Sequence, residues 1–305
     1  MGNLSIIKPM ADLIFMSKMH KMPPDDTWKP FQGDDAKTYV RGVGLAAYSA
    51  EMTSWCEAPT PVPPTMYFTP QDPHKYHTDT CRDVGDGYQT LIYAMCDALQ
   101  YAFNIWKTTL TFSNLKVNAV VAVGSKGCLK DNAPMPFDKL VMTFPGYGQL
   151  MTKEKFPKWR DAVGKGVAKC LKDWVDGITM PGLPLYPAFA AFPGPMAPPM
   201  PSIPMPLIMC PSTGMNKVTT PDELKKAMLN ELDSKIKQDT ADKVHETVME
   251  SIATAFSLAF VIWMASTQVM NIMGTGQIPS FAPPFVPVGP VVNGQNLPIP
   301  GHLAI

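Results

Sequence analysis

The sequence predicts a mainly α chain with Pro-rich extended or β segments, an α+β arrangement. It is read as built on an internal tandem duplication of a helix–Pro segment–helix unit. Three observations predict this. Apolar stretches with helical spacing recur at 87–112, 153–177 and 240–273. Proline numbers 33 among 305 residues, well above the usual share of about 5%, and it clusters with Phe, Val, Ile, Leu and Met. Finally, ALQYAFNIW (98–106) aligns with AFSLAFVIW (255–263), matching Ala98/Ala255, Ala102/Ala259, Phe103/Phe260, Ile105/Ile262 and Trp106/Trp263. The same offset matches Thr90 with Thr247 and Asn114 with Asn271.

The elements follow in order. A short apolar helix is expected over 6–16, then a polar arm, HKMPPDDTWKPFQGDD. Residues 37–57 read as a helix with a small-residue face, carrying Arg41-Gly42-Val43 and stopped by APTPVPPTMYFTP. The first Trp helix fills 87–112, and LKVNAVVAVG behind it reads as one strand because of its β-branched residues. Residues 131–150 read as loop and 153–177 as the next helix, which holds Lys165-Gly166-Val167. Eleven prolines lie between Pro181 and Pro211. Thr220-Pro221-Asp222-Glu223 is a helix start, with an N-cap residue, proline at the first turn and acids beside the positive dipole end. That helix should run to 237, and the second Trp helix from 240 to 273, stopped by Gly274. The domains expected are an N-terminal arm (1–35), a first repeat (36–150) and a second repeat (151–305) with the Pro-rich insertion and tail.

Charge narrows the function. Only 17% of residues are charged, and Lys+Arg equals Asp+Glu at 26 each. Such a balance excludes a nucleic-acid binder working by bulk electrostatics, and it excludes an acidic disordered tail. Little self-repulsion remains to keep the chain monomeric, so copies of itself or other proteins should cover its apolar surface. Residues 251–273 hold no charge and are long enough to span a bilayer. Their Ser, Thr, Gln and Asn content, and a counterpart carrying Asp97 and Lys107, favour a buried helix at a subunit interface. A membrane-inserting protein or effector using this helix is the alternative.

Chemistry-bearing motifs are sparse. Asp72, His74, His77, Asp79 and Cys81 could supply a metal site, and His74, His77 and Cys81 are the residues a metal-dependent enzyme would use. Their spacing matches no standard finger, so the segment reads as a polar loop and no metal is expected. Val163-Gly164-Lys165-Gly166 is only a fragment of a phosphate loop, and Gly274-Thr275-Gly276 reads as a helix C-cap. No catalytic or cofactor-binding residue is assigned and no cofactor is expected. Cys56, Cys81, Cys96, Cys128, Cys170 and Cys210 are scattered singly and read as reduced structural thiols. Lys8, Pro9 and Asp12 interrupt any signal-peptide core, which points to assembly in the cytoplasm. Trp106, Trp263, Phe103, Phe260, Phe281 and Phe285 are the core or interface candidates.

GQIPSFAPPFVPVGPVVNG and PGPMAPPMPSIPMP resemble, in composition, segments of structural proteins of tailed-phage or contractile-tail particles. The resemblance covers under a quarter of the chain. It implies a structural subunit of a symmetric homo-oligomeric particle, a virion or contractile-tail component, and no enzyme. Its partners would be its own copies, arranged in a ring, and other particle proteins. A duplicated subunit would give such a ring twice as many equivalent units as chains.

Overall fold

The structure is a computed structural model. It describes residues 4–17, 72–118, 120–152, 155–185, 196–238, 244–278, 281–282, 286–287, 291–297, 299 and 301–304, with backbone alone at 72–84, 281–282 and 286–287. The chain divides into two compact units, Met1–Phe15 with Leu91–Ile305, and Met16–Thr90. The expected helix at 37–57 lies outside the described residues.

Helix α1 (Ile7–Ser17) buries Ile7, Ala11 and Phe15, one face at four-residue spacing. Lys8 Nζ on its flank lies 2.9 Å from Asp97 Oδ2 and 5.1 Å over the Tyr93 ring. Helix α2 (Asp72–Thr109) begins fifteen residues before the expected start. The supposed polar loop holding His74, His77 and Cys81 is therefore helical backbone, because nothing in DPHKYHTDTCRD breaks a helix after its second residue.

Strand β1 (Leu110–Phe112) pairs with β4 (Leu129–Asp131). Between them the run expected as one strand folds back on itself as β2 (Lys116–Asn118) and β3 (Val121–Gly124), with Asn118 facing Val121. The expected loop at 131–150 contains α3 (Phe137–Met142) and a 3-10 segment, Pro145–Thr152. Helix α4 (Phe156–Gly177) follows, then β5 (Met180–Pro184), β6 (Met196–Pro201) and β7 (Met205–Pro206).

A short helix α5 (Met215–Thr219) comes next, and α6 (Pro221–Asn230) and α7 (Ser234–Gln238) replace the single helix expected to 237. Thr220 and Pro221 start α6 as the sequence indicates. Helix α8 (Val244–Ser266) ends seven residues before Met273, and β8 (Gln268–Val269) and β9 (Met273–Gln277) take the remainder. Strands β10 (Phe281–Ala282) and β11 (Val286–Pro287) form a hairpin, followed by β12 (Val292–Asn296) and β13 (Leu303–Ala304).

These strands correct the expected fold class. The chain is α+β around a six-stranded antiparallel sheet, order β5-β3-β2-β12-β9-β6, curled into a half-barrel. It is not a helical protein with isolated extended segments. Proline explains the placement. The four inner strands contain none, while β5 carries Pro181 and Pro184 and β6 carries Pro198, Pro199 and Pro201. A residue without an N–H is tolerated at an edge, where one row of groups has no ladder to join. The β6–β9 register shifts between Ala197 and Met200, so a bulge takes up the two adjacent prolines. The tail contributes its Pro-free stretch, β12, to the middle of the sheet.

The duplication is a second correction. Helix α2 exits into β1 of a two-stranded sheet. Helix α8 exits into β8, the middle strand of a three-stranded sheet, β13-β8-β7. Asn114 and Asn271 both adopt left-handed backbone (φ 57° and 59°), so the likeness is local to the exits. The matched Ala, Phe and Trp are buried where α2 and α8 face one aromatic core, whereas Ile262 is 49% exposed and Ile105 half-buried. Phe103 lies edge-on 4.9 Å from Trp263 and 6.2 Å from Phe260, and Trp174 of α4 lies edge-on 5.2 Å from Phe260. Helices that fill the same core select the same residue types. The ring arithmetic that rested on the repeat falls with it.

Two glycine positions set close approaches. A Cβ at Gly166 would sit 2.6 Å from Met228 Cα, so α4 and α6 touch backbone to backbone there. Gly274 is not a helix cap but a strand residue, where a Cβ would meet Leu185 Cδ1 at 2.7 Å. We expect Gly166→Ala to lower stability by about 1–3 kcal/mol, the usual cost of overpacking, despite the better helix propensity of alanine. Phe103→Ala should cost about 3–5 kcal/mol. Urea unfolding midpoints check both, and a neutral Gly166→Ala would disprove the close approach.

Candidate functional site

A cleft of about 640 Å³ opens between α4 and the β4–α3 connection. That volume lies within the range of roughly 300–1,000 Å³ found for ligand pockets. Its floor is apolar: Trp106, Leu129, Phe137, Leu171 and Val175, all buried. The lip is Pro134, Met135 and Pro136. Around the rim stand three bases, Lys130, Lys169 and Lys172, and three acids, Asp131, Asp138 and Asp176.

Local chemistry holds each wall. Trp106 Nε1 donates to Asp131 Oδ2 at 2.8 Å, which ties α2 to the end of β4. Asp131 Oδ1 accepts from the Ala133 N–H at 2.9 Å and so shapes the turn into the Pro-Met-Pro lip. On α4, Ala168, Lys169, Lys172, Val175 and Asp176 reach the cleft at helical spacing. Lys172 and Asp176 form an i,i+4 ion pair, and that bond holds the Lys172 ammonium above its usual range. Lys130 and Lys169 make no ion pair with a described residue. Among the described residues the lining contains no His, Cys, Ser, Thr or Tyr.

The residues singled out from sequence fall elsewhere or deeper. Trp106 and Trp263 are 1% and 3% exposed, and Phe103 and Phe260 are fully buried. These four belong to the aromatic core, with Trp106 also flooring the cleft. The Phe281 side chain and Phe285 lie outside the described residues, as do the side chains of His74, His77 and Cys81. Among the described residues no three His, Cys, Asp or Glu groups are placed to hold a metal. Cys96, Cys128, Cys170 and Cys210 are free and buried. Burial pushes Cys128 and Cys170 up to about 11 and Cys210 up to about 12, which makes them poor nucleophiles. Helix α8 is long and apolar enough to cross a membrane, yet 67% of its most apolar stretch is buried in its own chain.

The sequence reading missed the cleft because its residues sit in the segment read as loop. The signal was Asn132-Ala-Pro-Met-Pro136, a turn flanked by charge on both sides. It also missed a polar clasp on the C-terminal segment. Asn296 accepts the Leu115 N–H through Oδ1 and donates to the Phe112 carbonyl through Nδ2, both at 2.9 Å. His302 Nδ1 accepts the Phe112 N–H at 2.9 Å, while Nε2 is buried without a partner. No family model, curated protein or solved structure matches the chain.

Burial lowers the His302 pKa below its ordinary 6.5. The unfolded chain therefore binds the proton more readily than the folded one. Stability from the neutral imidazole is complete above about 6.5 and is lost as the pH falls toward the folded value. We expect the stability difference between pH 7.5 and 5.5 to shrink in His302→Gln, measured by urea unfolding. An unchanged difference would remove His302 as its source.

Proposed function

We propose that the chain is a structural subunit of a homo-oligomeric particle, with the outer side of residues 196–209 as a contact surface between subunits. One observation carries this reading. The Pro-rich segment is folded onto its own chain through Ala197, Met200 and Leu207, yet it turns Met196, Ile203, Ile208 and Met209 outward at 59%, 40%, 44% and 59% exposure. Four large apolar side chains exposed within fourteen residues offer apolar surface to a partner, as interaction sites do. Methionine suits such a surface because its flexible thioether adapts to irregular neighbours.

Net charge supports the reading. A chain with equal numbers of acids and bases does not repel its own copies. The compositional resemblance of the Pro-rich segments to tailed-phage and contractile-tail proteins suggests the class of particle, assembled in the cytoplasm. Deleting 279–305 would not test this, since it removes β12 from the sheet interior.

The test is Ile208→Glu combined with Met209→Glu. We expect at least a tenfold weaker assembly by native mass and sedimentation, with unchanged helical circular dichroism. A wild-type chain that stays monomeric at high concentration, or a variant that assembles normally, would overturn the proposal.

A further inference from the structure

We propose that the cleft between α4 and the β4–α3 connection is the socket for residues 18–35 of a second copy of the chain. The inference rests on the homo-oligomeric reading and names the segment that one subunit gives to the next.

Complementarity picks the occupant. The rim carries three bases and three acids above an apolar floor, so a purely apolar segment would leave charge unmatched, and a purely acidic or basic one would meet repulsion. The chain offers several Pro-rich stretches wholly or partly outside the described residues. Residues 186–195, YPAFAAFPGP, carry no charge, and neither do 279–290, PSFAPPFVPVGP. Residues 18–35, KMHKMPPDDTWKPFQGDD, carry both signs together with proline and large aromatics. Within them PPDDTWKPF sets an acidic pair, Asp25-Asp26, three residues before Lys29, with Trp28 between and Phe31 after. The acidic pair suits Lys130 and Lys169, the two rim bases without an ion pair to a described residue. Lys29 suits Asp138, and the aromatics suit the lip and floor.

Geometry permits the exchange. The arm leaves α1, which is anchored on its own unit by buried Ile7, Ala11 and Phe15 and by the Lys8–Asp97 pair. Eighteen residues span at most about 60 Å when extended, ample reach to a neighbour. The prolines reduce the entropy lost when such an arm is ordered.

The experiment uses the full-length chain. Met135 at the lip is replaced by a benzophenone amino acid, light and heavy isotope preparations are mixed and assembled, and cross-linked peptides are read by mass spectrometry. We expect links from position 135 to 18–35 of the opposite isotope label. In parallel, Lys130→Glu with Lys169→Glu should weaken assembly at least tenfold, and adding Asp25→Lys with Asp26→Lys should restore it. Links confined to the same copy, links to other segments, no links, or no rescue would overturn the socket. If the wild type assembles while any of these holds, the subunit reading stands without the socket. A monomeric wild type removes both.

Discussion

Everything in the larger unit hangs on the aromatic contact among three helices. Phe103 and Trp106 on α2, Trp174 on α4, and Phe256, Phe260 and Trp263 on α8 meet ring to ring at centroid distances of 4.9 to 6.4 Å. Aromatic side chains bury about 150–250 Å² each, so the cluster is a large share of the apolar area this unit removes from water. Its geometry also aims the chain. Helix α2 ends three residues after Trp106 and α8 ends three residues after Trp263. The strands that leave those ends start from positions the rings have set. The Trp106 indole carries the same constraint outward through Asp131, so core packing and cleft shape are mechanically one matter.

Proline is the second organising constraint. Its missing N–H sorts the strands into edge and interior, and the sorting leaves two edges that resist pairing with stray strands. A sheet bordered this way offers side chains and no open hydrogen-bonding ladder at its edges.

The sequence was legible where a local rule had no competitor. Thr220-Pro221-Asp222-Glu223 starts a helix by capping chemistry alone, and α1 follows its four-residue spacing. It was illegible where a residue answered a tertiary demand. Gly274 looked like a helix stop because glycine commonly ends helices, but here it leaves room for Leu185. The hairpin at 118–121 lacks the Asn-Gly or Asp-Gly signal that marks such turns. The repeated Ala, Phe and Trp pattern was real as pattern, yet in the structure it marks a shared core, and no duplicated unit is shown. Of the cleft, only Trp106 was singled out. The rest depends on α4 lying against a turn more than thirty residues earlier in the chain, which spacing along the sequence does not reveal.

The place of β12 has a consequence for how the chain is made. Its neighbours in the sheet include β2, and Asn296 reaches back to Leu115 across 181 residues. A ribosome adding about 5–20 residues per second needs roughly ten to forty seconds between delivering one side of that contact and the other. Through this interval β2 holds only its hairpin partner on one side, and its other row of amides and carbonyls waits. The pairing of α4 with α6 is nearer in sequence and can settle first, while the sheet remains an open template. High contact order of this kind slows folding. Nascent chains of this protein should therefore lean on chaperones until residue 296 has emerged.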